Sequence, residues 1–167
     1  MLTLMQKKGL SFLLFLFISF NICGQKPAAV IPEFLFFKLD KTAFTNKDLA
    51  TNKLLFFCFF DVSCDHCQHA IEKINQHYNE FTGTAIYLIT LDNQAGIKNF
   101  MGHYGQNLPG KKNVVILQDL QNEFINKFRP VKYPSIFLYT ANKKLLLYDD
   151  NPDNMPKFLK QIKSASK

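Results

Sequence analysis

Tryptophan is missing altogether from the 167 residues, and arginine occurs once, as Arg129. Cysteine is sparse: Cys23, Cys58, Cys64 and Cys67 are the full set. That scarcity excludes a small disulfide-stapled scaffold, which would carry more cysteines in a shorter chain. Acids are few as well, 13 against 20 basic residues, for a formal charge of +7. The lysines are dispersed, in doublets such as Lys111-Lys112 and Lys143-Lys144 and along a helical spacing at Lys157, Lys160 and Lys163. No compact basic cluster interleaved with aromatics occurs, so nucleic acid is not an expected partner. Internal repeats and low-complexity blocks are absent, which leaves one domain plus a short extra segment. A membrane-spanning run is absent too. The longest apolar stretch, Leu10 to Phe20, falls short of the roughly 20 residues a bilayer needs.

That stretch is the extra segment. Lys7 and Lys8 precede it, and Asn21-Ile22-Cys23-Gly24 closes it with a small residue. A basic start, a short apolar core and a small terminal residue describe a secretory signal peptide. The expected division is therefore 1–24 signal peptide and 25–167 mature domain, exported to the periplasm or cell envelope, with no stable membrane span after cleavage. Ile22 is bulkier than the residue that normally precedes a lipidated cysteine, which argues against an anchor at Cys23. Cleavage would take two lysines and no acid, lowering the formal charge from +7 to +5. It would leave Cys58, Cys64 and Cys67. An odd count in an exported chain excludes a fully paired framework and flags a reactive thiol. Roughly 140 residues can bury a real core without staples.

Hydrophobic periodicity orders the rest. Glu33 to Leu39 reads as a strand, and Thr45 to Leu49 as one helical turn with Thr45 as cap and Asp48 three residues on. Lys53 to Phe60 is apolar on both alternating faces, the signature of a strand buried on both sides. From Asp65 to about Glu80 the period changes: Cys67, Ile71, Ile74 and Tyr78 form one apolar helical stripe. Thr84 to Leu91 reads as a strand, Gln94 to Tyr104 as a helix ended near Gly105, and Asn113 to Leu117 as a strand. Asp119 to Phe128 reads as a helix with Leu120, Phe124 and Phe128 on its inner face, stopped by Pro130. Ser135 to Tyr139 and Lys144 to Tyr148 make a hairpin. Pro156 to Ile162 closes the chain as a helix, with proline where a missing N–H costs nothing. The order β, β, α, β, α, β, α, β, β, α predicts an α/β fold: a mixed central sheet with helices on both faces.

The strongest chemical signal is Cys64-Asp65-His66-Cys67 at the junction of strand and helix. Two cysteines so spaced come within disulfide reach when the first sits at a helix N-terminus and the second one turn in. Unpartnered backbone N–H groups and the helix dipole favour a negative sulfur at Cys64. The thiolate is the form that attacks disulfides. Cys67, deeper on the apolar stripe, is expected to resolve the mixed disulfide. His66 and Asp65 tune the pair in opposite senses: a cation beside the thiolate favours it and an anion disfavours it. Each effect is on the order of 1 kcal/mol, so the direction of electron flow stays open. Half of a zinc site is the other use of such a pair, but no second CxxC follows. His69, His77 and His103 are expected at the surface or in packing.

With KLLFFCFF leading into DVSCDHC, Val131-Lys132-Tyr133-Pro134-Ser135 opening a strand, and NKKLLLY after it, residues 30 to 164 resemble the thioredoxin superfamily. They look most like the exported TlpA-like thiol–disulfide oxidoreductases. The resemblance implies a thioredoxin-like sheet, a cis proline at Pro134 facing the dithiol, and backbone groups of Tyr133 offered to an extended substrate by short strand addition. It implies protein thiols or disulfides as substrates, an upstream redox partner, a monomer, and neither cofactor nor metal. The sequence departs from many relatives by Ser63 where they have tryptophan and by Asp65-His66 where they have a proline. It departs again at Cys58, where thioredoxin itself has a buried acid. Cys58 reads as a small buried hydrophobe in a central strand, with a third redox thiol as the other reading. A water, Asp61 or His66 would then handle the Cys67 proton.

Three other functions compete. Cys64 and Cys67 with His69 or His103 could deliver Cu(I), since thiolates prefer soft ions. A redox-idle interaction domain could keep the fold around a structural disulfide. A peroxide-reducing enzyme fits less well, because those relatives set the reactive cysteine beside a threonine and an arginine.

Overall fold

The computed structural model describes residues 26–165. The expected signal peptide, residues 1–24, lies outside the described residues, and Cys23 with it. Among the described residues seven strands form one sheet: β1 Leu35–Lys38, β2 Ala43–Thr45, β3 Leu54–Phe59, β4 Thr84–Thr90, β5 Val114–Gln118, β6 Ser135–Tyr139 and β7 Leu145–Asp149. Their order is β2-β1-β5-β4-β3-β6-β7. The neighbours β3, β4 and β5 run parallel, through crossovers carrying α1 Asp65–Gln76 and α2 Gln94–Tyr104. The remaining pairs are antiparallel, so the sheet is mixed. Helix α3, Met155–Ala165, ends the fold.

Strand alternation splits the core into two layers. Phe56, Cys58 and Phe60 of the β3 segment, with Ile86, Leu88, Ile136 and Leu138, face one side. There they meet Ile71 and Ile74 of α1, Ile97, Phe100 and Met101 of α2, and Phe158 and Ile162 of α3. Leu55, Phe57, Phe59, Tyr87, Phe137 and Tyr139 face the other side. That side is closed by the lead-in, the segment 26–34 before β1, through Ile31 and Phe34, by Phe44 and Leu49, and by a π-helical turn, Phe124–Phe128. The thioredoxin-like α/β architecture therefore has helical cover on both faces, three α-helices on one and a single turn on the other.

Three local expectations need correction. Thr45 to Leu49 is not helical. Ala43–Thr45 is a strand paired with β1, and the Asp48 carboxylate accepts from both the Thr45 N–H (2.8 Å) and its hydroxyl (3.0 Å). Thr45 and Asp48 do bond, but their bonds close a turn and cap no helix. Residues 119–128 are not one helix either. The Asp119 carboxylate, itself buried, accepts from the N–H groups of Gln121, Glu123 and Phe124 at 3.1, 3.1 and 2.7 Å. A side chain that satisfies these donors competes with helix formation. Helical backbone survives only from Phe124 to Phe128, and Arg129 in the left-handed region ends it before Pro130. Leu120, placed in the core by its spacing, is 58% exposed. Helix α1 stops at Gln76, and a 3-10 turn takes Tyr78–Glu80.

Candidate active site

Strand β3 delivers the site. Its register sets Phe59 opposite Ser135, so Pro134 lies beside the stretch that leaves β3 for the cysteines. The loop is held from both sides. The Val62 N–H donates to Asp92 Oδ2 (2.9 Å), which also accepts from the Thr90 hydroxyl (2.6 Å). The Ser63 N–H and hydroxyl both donate to Asp61 Oδ1, at 2.8 and 2.5 Å. The chain then turns extended at Cys64 (φ −92°, ψ 117°), which is the N-cap of α1, and its carbonyl accepts from the N–H groups of Cys67 and Gln68.

The two sulfurs meet, and their surroundings differ. Cys64 is half-buried and packs on the rim of the helix-side core. Cys67 is fully buried among Cys58, Ile71 and their neighbours. All three thiols are free. Burial first, and then a hydrogen bond with the Cys64 sulfur, push the Cys67 thiol far above the ordinary range. The Asp61 N–H, 3.5 Å from Cys67 Sγ, acts in the opposite sense. Cys67 is thus held as a protonated thiol facing Cys64, with one backbone donor waiting for the sulfur if it ionises. Cys58 lies in the same layer, fully buried. Burial, with Cys64 a smaller contributor, pushes its thiol up to about 12.

Asp65 and His66 are both exposed on the first turn of α1. Asp65 Oδ1 is 3.5 Å from Gln68 Nε2. Tyr133 is half-buried, its ring 4.8 Å from that of Phe59, and the Tyr133–Pro134 peptide is cis. Burial and then the charges of Asp61, Asp92, Cys67 and Asp119 push the Tyr133 phenol up to about 12. The remaining histidines are engaged elsewhere. His69 bonds Asp153 (3.2 Å), His77 bonds Glu80 (2.6 Å), and His103 bonds the Asn99 carbonyl (2.8 Å). Among the described residues no group of three or more His, Cys, Asp or Glu is gathered to hold a metal ion. Of the donors expected for Cu(I) delivery, Cys64 and Cys67 meet, while His69 and His103 bond Asp153 and the Asn99 carbonyl.

Sequence reasoning missed Asp92, whose carboxylate ties the end of β4 to the cysteine loop. The available signal was an aspartate two residues beyond Thr90 at the end of a long apolar strand.

A dithiol divided between a half-exposed helix cap and a buried first-turn position, on this sheet, puts the protein in the thioredoxin superfamily. Within it the chain belongs to the AhpC/TSA family, which matches residues 27–147. Among curated protein sequences none matches this one. Solved structures share the fold at low identity. The thioredoxin domain of a thiol–disulfide oxidoreductase from Bacteroides vulgatus superposes with a TM-score of 0.66 at 17% identity, over 81% of this chain and 96% of that one. A secreted disulfide oxidoreductase of Mycobacterium tuberculosis, homologous to E. coli DsbE, gives 0.62 at 15%, over 77% and 95%. The peroxidoxin BcpB of the same organism gives 0.69 at 13%, over 84% and 97%. Among the described residues no helix is long and apolar enough to cross a membrane.

Proposed function

We propose that the protein is an exported thiol–disulfide oxidoreductase acting on protein thiols or disulfides, with Cys64 as attacking sulfur and Cys67 as resolving sulfur. The asymmetry of the pair carries this reading: one sulfur is reachable at a helix cap, and its partner is buried, protonated and in contact with it. Cys64 gives up its proton, and its sulfur attacks a sulfur of the partner's disulfide. The partner's S–S bond breaks, a Cys64–partner disulfide forms, and the departing partner thiolate takes a proton. Cys67 then loses its proton and attacks Cys64. The Cys64–Cys67 bond forms as the second partner thiol leaves. Two electrons and two protons pass from the dithiol to the partner, and the same steps reversed oxidise a partner dithiol.

The Asp61 N–H supports the moment at which Cys67 becomes a thiolate. The backbone before Pro134 is the docking edge, where main-chain bonds to an extended segment supply affinity with little sequence preference. The first 24 residues supply the export signal.

Cys67→Ala tests the reading. Mixed with an unfolded, disulfide-bonded protein such as scrambled ribonuclease, it should accumulate a thiol-cleavable adduct through Cys64, absent from the variant that also carries Cys64→Ser. No adduct under these conditions overturns the exchange mechanism. Retention of the first 24 residues by protein recovered from the cell envelope overturns the cleaved signal.

A further inference from the structure

The protein is basic, yet the end of the sheet that bears the dithiol is acidic. Asp61 follows β3, Asp92 follows β4 and Asp119 follows β5, so three parallel strands each deliver a carboxylate to the same end. Asp65 adds a fourth on the first turn of α1. Glu72, Glu80, Glu123, Asp149, Asp150 and Asp153 are all ion-paired with a lysine or histidine. None of the four aspartates at the dithiol end has such a pair among the described residues, and Glu33, Asp40 and Asp48 are the other acids without one. Lys132, the lysine next to Tyr133, is drawn away by Asp150 at 3.2 Å. Burial first, and then the charges of Asp61, Asp92, Cys67 and Asp119, raise the Tyr133 phenol beside them.

Magnitudes decide the sign. The amino end of α1 contributes about half a positive charge. Asp61, Asp65 and Asp92 each contribute a full negative one, and none of them is buried as Asp119 is. An approaching disulfide therefore meets net negative potential, and such fields change encounter rates by about 10 to 1,000-fold at low salt.

Resting on the exchange reading above, we infer that this acidic rim selects disulfide partners that carry positive charge beside their sulfurs. The exposed apolar side chains of Leu120 and Val131, in the loops after β5 and before β6, flank the same end. The favoured partner is a cationic segment with apolar neighbours, not an acidic one. The aspartates act here as specificity-determining residues by attraction and do not take part in the bond exchange.

Three small disulfides of one chemistry test it: cystamine (cationic), hydroxyethyl disulfide (neutral) and dithiodipropionate (anionic). Each rate of oxidation of the reduced protein is divided by the same reagent's rate with dithiothreitol, which removes intrinsic reactivity. At about 0.01 M salt, cystamine should exceed dithiodipropionate by about tenfold or more. At about 1 M salt, where screening acts over about 3 Å, the ratio should fall toward one. Asp65→Asn should lower the low-salt ratio several-fold, and Asp65→Glu should restore it. Equal normalised rates at low salt, or a faster anion, overturn the selectivity while leaving the exchange reading intact. Failure of the neutral reagent to oxidise the pair overturns the exchange reading and the selectivity with it.

Discussion

The two faces of the sheet are built from different material. Among the described residues, ten of the sixteen buried side chains on the π-turn face are aromatic, against five of nineteen on the helix face. Rings interlock on the first: Phe124 and Phe128 stack at 4.2 Å with 1° between their planes, Phe59 stacks on Phe124 at 4.5 Å, and Phe137 meets both edge-on. The helix face is mostly aliphatic and sulfur-bearing, and the dithiol lies at its rim. Large rings supply much burial per residue and fix geometry. This slab is covered by Ile31, Phe34, Phe44 and Leu49 together with one π-helical turn. The aliphatic face holds α1 at the height where Cys64 reaches solvent and Cys67 does not. One face is built of rings and the other carries the cysteine pair, a division that substitutions can separate.

The largest effect should come from the aromatic face. Phe128 touches Phe34, Phe36, Phe57, Phe124 and Phe137, and its carbonyl accepts from the Ala28 N–H, fastening the lead-in. Phe128→Ala should cost about 3–5 kcal/mol in urea unfolding through lost transfer and a residual cavity. The fraction that remains folded should still form the Cys64 adduct in the Cys67→Ala background. Adduct formation lost in full with stability unchanged would reverse the assignment of the two faces. A smaller loss is expected for Asp119→Ala, which strands three backbone donors, one of them on buried Phe124. Unfolding should register about 1–3 kcal/mol. An unchanged midpoint would mean that water replaces the carboxylate and that the π-helical turn does not depend on it.

Legibility in the sequence followed the range of the interactions. Strands β3 and β4 and helix α1 could be read because each carries an unbroken local pattern, and the cysteine pair could be read because strand, CxxC and helix are contiguous. Strand β2 was missed because three residues with mixed polarity give no alternation to detect. The 119–128 segment was misread because Leu120, Phe124 and Phe128 do have helical spacing. The spacing did not disclose that Asp119 would turn its carboxylate onto the backbone. The acidic rim was not visible for a different reason. Asp61, Asp92 and Asp119 are about 30 residues apart in sequence, and only parallel pairing of β3, β4 and β5 brings them to one end.

Cys58 permits the finest test of the contrast, because its neighbour Phe57 faces the aromatic slab while its own thiol faces the dithiol layer. Its thiol has an ordinary value of 9.0 and is raised to about 12 in the folded protein, chiefly by burial. Between these limits the unfolded chain gives up the proton and the folded chain keeps it. The unfolded state then binds fewer protons, so stability falls as pH rises. The contribution is complete below pH 9 and is withdrawn at about 1.4 kcal/mol per pH unit toward 12. Cys58→Ala removes this titration and its minor charge effect on Cys67, and leaves the titrations of Tyr87, Tyr133 and Tyr139 in place. At neutral pH the variant should be less stable than the parent, through lost packing. As pH climbs through the window, the gap between their urea midpoints should close. Two curves falling in parallel would mean that the Cys58 thiol ionises equally in both states, and the helix face would then be wetter around its sulfurs than full burial allows.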